Sequence, residues 1–147
     1  MNSRLSSQSR SVLNYQPNYI NYLEDIMGAS KIGGILQNFV SGTADVQGAA
    51  LVSHDGLPLA SSLPSAMDEE RTSAMSAAML SLGERIGKEL SRGSVEKIMV
   101  EGADGYGILI GCGEDAVFLV LANQSAKQGL LMLDIKRAVT EIKAALN

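Results

Sequence analysis

The chain has a single cysteine, a single histidine and no tryptophan. One thiol, Cys112, excludes an internal disulfide framework. One Cys and one His cannot assemble a transition-metal site without help from carboxylates, so neither a metal nor a cofactor is assigned. Aromatic residues make up only 4% of the chain, which leaves the core to Leu, Ile, Val, Met and Ala. Basic charge is scarce as well. Lys and Arg number 12 against 16 Asp and Glu, and the net charge is −4. A nucleic-acid binder carries a basic face, and none stands out here. The longest strongly apolar run, Ala116 to Ala122, is far short of the roughly 20 residues that span a bilayer. The opening MNSRLSSQSRS has no apolar stretch behind it, so no secretory signal is expected and a cytoplasmic protein is the default.

What is present suits one packed domain with a tail: 147 residues, 46% hydrophobic and 19% charged. Residues 1–29 are assigned to an N-terminal extension and 30–147 to the domain. Met1 to about Gln16 is rich in Ser, Asn and Arg and lacks periodicity. Pro17 to Met27 carries Tyr19, Ile20, Tyr22, Leu23, Ile26 and Met27 at roughly helical spacing. It reads either as a short helix docked on the domain or as a linear motif that orders on a partner. Ser30 is placed as the cap of a helix running to about Val40, with Ile32, Ile35, Leu36 and Phe39 on one stripe.

Gln47 to Ser53 reads as a strand, with Ala49 and Leu51 on one face and Ala50 and Val52 on the other. His54-Asp55-Gly56 supplies a tight turn, and Leu57 to Leu63 returns as a second strand that Pro58 puts at a sheet edge. Ser65 or Asp68 caps a long helix that runs to about Ser91 and is closed by Arg92 and a Gly93 C-cap, with Glu69 and Glu70 at the positive end of its dipole. At about 1.5 Å per residue it is on the order of 37 Å long. Three strands follow, Val95 to Glu101, Tyr106 to Cys112 and Ala116 to Ala122, and then a final helix with Leu131, Ile135, Ala138, Ile142 and Ala145 on one stripe. The last strand is apolar at every position, so both of its faces must be covered. The order is α-β-β-α-β-β-β-α. The fold class is α/β in the α+β sense, an antiparallel sheet closed by helices on both faces.

Most chemical motifs fail on geometry. Ser53, His54 and Asp55 name a hydrolytic triad but sit within one turn, whereas a triad must converge in space. Gly83 to Lys88 lies inside a helix and lacks the Ser or Thr of a phosphate loop. The glycines from Gly102 to Gly107 belong to a hairpin, not to a strand-to-helix turn. No catalytic residue is assigned.

The long helix carries two stripes. Met75, Met79, Leu82, Ile86 and Leu90 recur at helical spacing and are read as the core face. Ala74, Ala77, Ala78 and Ser81, ending at Arg85, form a second stripe that is small and almost uncharged. Small side chains let two helices approach closely. A helix apolar round most of its girth needs cover on both sides, and a second copy supplies it by two-fold symmetry.

The phrase VQGAALVSHDGLPLAS, followed by DEERTSAMSAAMLSLGERIGKELSRGSVEKIMVEGADGYGILIG, resembles the Roadblock domain of dynein light chains and of bacterial small-GTPase regulators. The match runs over about 30–146. The resemblance implies a five-stranded antiparallel sheet between one long helix and two others. It also implies a homodimer with the long helices side by side and the third strands joined edge to edge. The interface would then hold Ala74, Ala77, Ala78, Ser81, Arg85, Val95, Lys97 and Met99. Family members commonly bind a Ras-like small GTPase or act as scaffold subunits, and some bacterial relatives accelerate GTP hydrolysis by positioning the GTPase's own groups. Arg71, Arg85 and Lys88 are the basic residues such a partner would meet. The expectation is a non-catalytic homodimeric regulatory module that binds a Ras-like GTPase through a platform of paired helices. Two rivals stand beside it: a scaffold recruiting another protein through the N-terminal extension, and a small-ligand sensor with a cavity near Cys112 or Tyr106.

Overall fold

The computed structural model describes residues 20, 21, 23 and 27–146. The first helix, α1, occupies residues 27–42, and residues 20, 21 and 23 are helical too. Then come β1 (Val46–Ser53), β2 (Pro58–Ser62), α2 (Glu69–Glu89), β3 (Lys97–Gly102), β4 (Gly105–Gly111), β5 (Ala116–Ala122) and α3 (Gln128–Leu146). All strand pairings are antiparallel, and the sheet order is β2-β1-β5-β4-β3. This is the expected five-stranded sheet between helices.

The strand β5, apolar throughout, takes the centre. Phe118 and Val120 enter a core built with α1 and α3, while Val117 and Leu119 face α2. β1 alternates as its sequence demands, with Ala49 and Leu51 toward α1 and α3 and Ala50 and Val52 toward α2. Ile32, Leu36 and Phe39 of α1 and Leu131, Ile135 and Ile142 of α3 fill the first core. Phe39 meets Phe118 edge to face at 5.4 Å between centroids. Pro58 opens β2, which is an edge strand as its missing N–H requires. The β1–β2 turn closes through Gly56 N–H to Ser53 O, and Leu57 N–H donates to Ser53 Oγ. These contacts fix Ser53, His54 and Asp55 in a turn.

Two details depart from the sequence reading. Ser30 lies inside α1, not at its cap, because the helix starts earlier. The end of α2 is turned by Ser91, whose φ of 55° takes the left-handed position expected of a glycine. Ser91 N–H bonds Lys88 O and Arg92 N–H bonds Gly87 O, a paired arrangement that satisfies the last carbonyls. Arg92 Nε adds a bond to Leu90 O. Tyr15, Tyr19, Tyr22 and Ile26 lie outside the described residues.

Candidate interaction surface

Asp68 starts α2. Its extended backbone and the bond from Arg71 N–H to Asp68 Oδ1, 3.1 Å long, make it the N-cap. From there the helix crosses one face of the sheet, and its buried residues are Ser73, Ser76, Ala77, Leu80 and Gly87. All but Leu80 are small. The stripe read from the sequence as the core face is instead turned outward: Met75 is 58% exposed, Met79 39%, Leu82 54%, Ile86 49% and Leu90 61%. The expected assignment of faces is therefore overturned. Ala77, expected at a helix-pairing interface, lies on the buried side of the helix beside Gly56 of the β1–β2 turn.

The physical reason is the depth of the layer between helix and sheet. Ala50, Val52, Leu109, Val117 and Leu119 already fill the sheet surface beneath α2. A Cβ on Gly83 would fall 2.5 Å from Ile98 Cδ1 of β3, and one on Gly87 would come within 3.0 Å of Gly93 O in the loop before that strand. The floor accepts a thin helix face and rejects a thick one. A sequence signal for this existed. It is the pair Gly83 and Gly87, four residues apart on one side of the helix, each costing roughly 1 kcal/mol against Ala.

At about 100° per residue, Ala74, Ala78, Ser81 and Arg85 adjoin the outward stripe. All four are exposed. The outer girth of α2 is thus a broad surface of Met, Leu, Ile and Ala with charge along one border. Arg85 is held on that border by Glu89, Nε to Oε1 at 3.1 Å. Arg71 and Lys88 are exposed at the two ends of the helix. Lys88 borders an open hollow of about 600 Å³ with Glu84, Ser91 and Val95.

The platform continues onto the sheet. β3 is the second edge strand, with no strand paired to its outer side among the described residues. Ile98 packs toward α2, and Val100, on the same face one pleat further, is exposed. Met99 packs against the opposite core, with Lys97 and Glu101 exposed on its side of the strand. Val95 precedes the strand instead of belonging to it.

Cys112 is fully buried, and burial pushes its thiol pKa up while the Lys143 ammonium pulls it partly back. Tyr106 packs against the core of α1 and α3. The space near Cys112 is an open surface hollow, not a chamber between sheet and helix. Among the described residues, Ser73 Oγ is the buried side-chain polar atom without a hydrogen-bond partner, and no group of three His, Cys, Asp or Glu converges as a metal site. No described helix is long and apolar enough to cross a membrane.

The Roadblock/LC7 domain model matches residues 33–122. An uncharacterised protein of Methanocaldococcus jannaschii is 35% identical over 102 residues, covering 69% of this chain and 89% of its own length. Among solved structures, the Roadblock/LC7 domain from Streptomyces avermitilis superposes with a TM-score of 0.73 at 21% identity, over 78% of this chain and 96% of that one. Myxococcus xanthus MglB superposes with a TM-score of 0.75 at 19% identity, over 80% and 89% respectively.

Proposed function

Because the chain belongs to the Roadblock/LC7 domain family, we propose that it is a non-catalytic homodimeric regulatory module whose paired α2 helices form a platform for a Ras-like small GTPase. The observation that carries the proposal is the outward stripe of Met75, Met79, Leu82, Ile86 and Leu90. Its spacing of four, three, four and four residues is close to that of a helix-pairing seam. A contiguous apolar face of this kind marks an interaction site. Val100 extends it, and the free edge of β3 gives a second element for the same two-fold axis. With Met99 at that axis, Lys97 of one protomer would face Glu101 of the other, a favourable cross-strand pair. Arg71 and Lys88, with Arg85 steered by Glu89, are the cations offered to a nucleotide-bound partner. Stimulation of hydrolysis would come from positioning the partner's own groups.

Sedimentation at micromolar concentration tests the assembly. The wild-type chain should sediment as a dimer and Leu82→Glu as a folded monomer, whereas a wild type that stays monomeric overturns the proposal. GTP-dependent retention of a purified Ras-like GTPase, lost in Leu82→Glu, tests the partner.

A second reading, a scaffold engaged through the N-terminal helix, is favoured by one observation. Ile20, Leu23 and Met27 recur at helical spacing and are exposed. Ile20→Glu with Leu23→Glu separates the two readings, since it abolishes partner binding only under the second.

A further inference from the structure

A hollow of about 520 Å³ lies at the end of the sheet where the β1–β2 and β4–β5 turns meet, joined by His54 N–H to Asp115 O. Leu59, Ala116 and Leu146 give it an apolar lining, and Glu114, Asp115 and Lys143 give it charge. Leu59 and Leu146 are both substantially exposed. No ion pair among the described residues engages Glu114, Asp115 or Lys143. The site therefore presents apolar surface and two uncommitted carboxylates against a single cation.

The geometry points to an occupant within the same chain: we propose that the N-terminal segment, residues 1–19, docks in this hollow. Three observations converge on it. The first is position. A Cβ on Gly28 would sit 3.6 Å from Ala145 O, so α1 departs beside the last turn of α3, the turn that brings Lys143 and Leu146 to the hollow. The second is charge. Arg4 and Arg10 are the ionisable side chains of clear charge between residues 1 and 19, and no Asp or Glu occurs there. A purely basic segment complements Glu114 and Asp115. The third is pattern. Val12, Leu13 and Tyr15 follow Arg10 closely and supply apolar side chains for Leu59, Ala116 and Leu146.

Reach is no obstacle, since 19 residues can span roughly 60 Å when extended. Tethering also raises the effective concentration to the millimolar range, so a contact too weak to form between separate molecules is occupied in cis. Arg10 takes the carboxylates while the Val12–Tyr15 stretch covers the lining, and the contact weakens with salt because its charges lie near solvent.

Hydrogen–deuterium exchange on the full-length chain tests this, comparing wild type with Arg4→Glu/Arg10→Glu. Peptides covering 112–116 and 143–146 should exchange several-fold faster in the variant, with peptides from β5 and α2 unchanged. Adding Glu114→Arg/Asp115→Arg to the variant should restore protection. The alkylation rate of Cys112, beside the hollow, gives an independent readout and should rise in the same order. Equal exchange and equal alkylation in wild type and variant overturn the proposal. So does protection that grows with protein concentration, which assigns the hollow to a second copy or another ligand. The readout lies away from the outer face of α2, and sedimentation of the same samples reports separately on dimerisation.

Discussion

Gly83 of α2 lies directly over Ile98 of β3: a Cβ built on the glycine would fall 2.5 Å from Ile98 Cδ1 and 3.3 Å from Cγ1. The helix backbone rests here directly on the Ile98 side chain of the edge strand, with no side chain of its own between them. Gly83→Val should destabilise the chain by about 1–3 kcal/mol through overpacking. Ile98→Ala should recover part of that loss, with a coupling of at least about 0.5 kcal/mol in a double-mutant cycle. Gly33 in α1 is the control. A Cβ there meets nothing within 4 Å. Gly33→Ala should therefore stabilise by about 0.5–1 kcal/mol. Urea unfolding at one fixed protein concentration measures all of these.

The exchange of faces on α2 makes a sharp contrast between neighbouring leucines. Leu80 is buried and Leu82 is exposed. Leu80→Ala should cost about 2–4 kcal/mol. Leu82→Ala should change the folding stability of the separated protomer by no more than about 0.5 kcal/mol. Equal losses at the two positions under dissociating dilution would restore the face assignment suggested by the Met, Leu and Ile spacing.

Asp68 accepts from Arg71 N–H at 3.1 Å and adds its charge to the positive end of α2. Asp68→Ala should lower stability by about 1 kcal/mol, and Asp68→Asn should keep most of the cap. Thermal unfolding distinguishes the two, and an Asn variant as unstable as the Ala one would assign the effect to charge alone.

Burial raises the pKa of the Cys112 thiol above the ordinary 9.0. The folded chain therefore holds its proton at pH values where the unfolded chain has released it. The thiol's contribution to stability is complete below about pH 9 and is lost as pH rises toward the folded pKa. Cys112→Ala should flatten the alkaline slope of stability relative to wild type in denaturant titrations between pH 8 and about 10.5. An unchanged slope would show that the thiol does not couple to folding.

Several features of this fold are legible in the residues themselves. A strand apolar at every position, Ala116–Ala122, can only be central. Pro58 can only lie in an edge strand, and of the two caps read for α2, Ser65 and Asp68, the structure uses Asp68. The faces of α2 were not legible in the same way. Met75 to Leu90 has the period and the size of a core stripe, and periodicity reports that a face is apolar without saying what covers it. Burial was decided by the space above Ala50, Val52 and Leu119, which depends on two strands far apart in sequence. Gly83 and Gly87 accompany the close approach, but a glycine pair alone does not report one, since a Cβ on Gly33 or Gly34 of α1 meets nothing within 4 Å. Ser91 shows a related limit. It takes a left-handed turn with Gly93 two residues away, since the two bonds to Lys88 O and Gly87 O fix the turn at that position.

The pairing of β1 with β5 has a consequence for how the chain comes into being. Ala50 lies against Leu119, so a strand near the start of the domain has a partner that is translated only after β2, α2, β3 and β4. Until β5 leaves the ribosome, β1 can form only its hairpin with β2, leaving one ladder edge and two apolar faces open. Closing such a distant contact is slow compared with forming the local helices. The nascent chain thus carries an unprotected edge until β5 emerges, and α3, which follows β5, covers the core only after that.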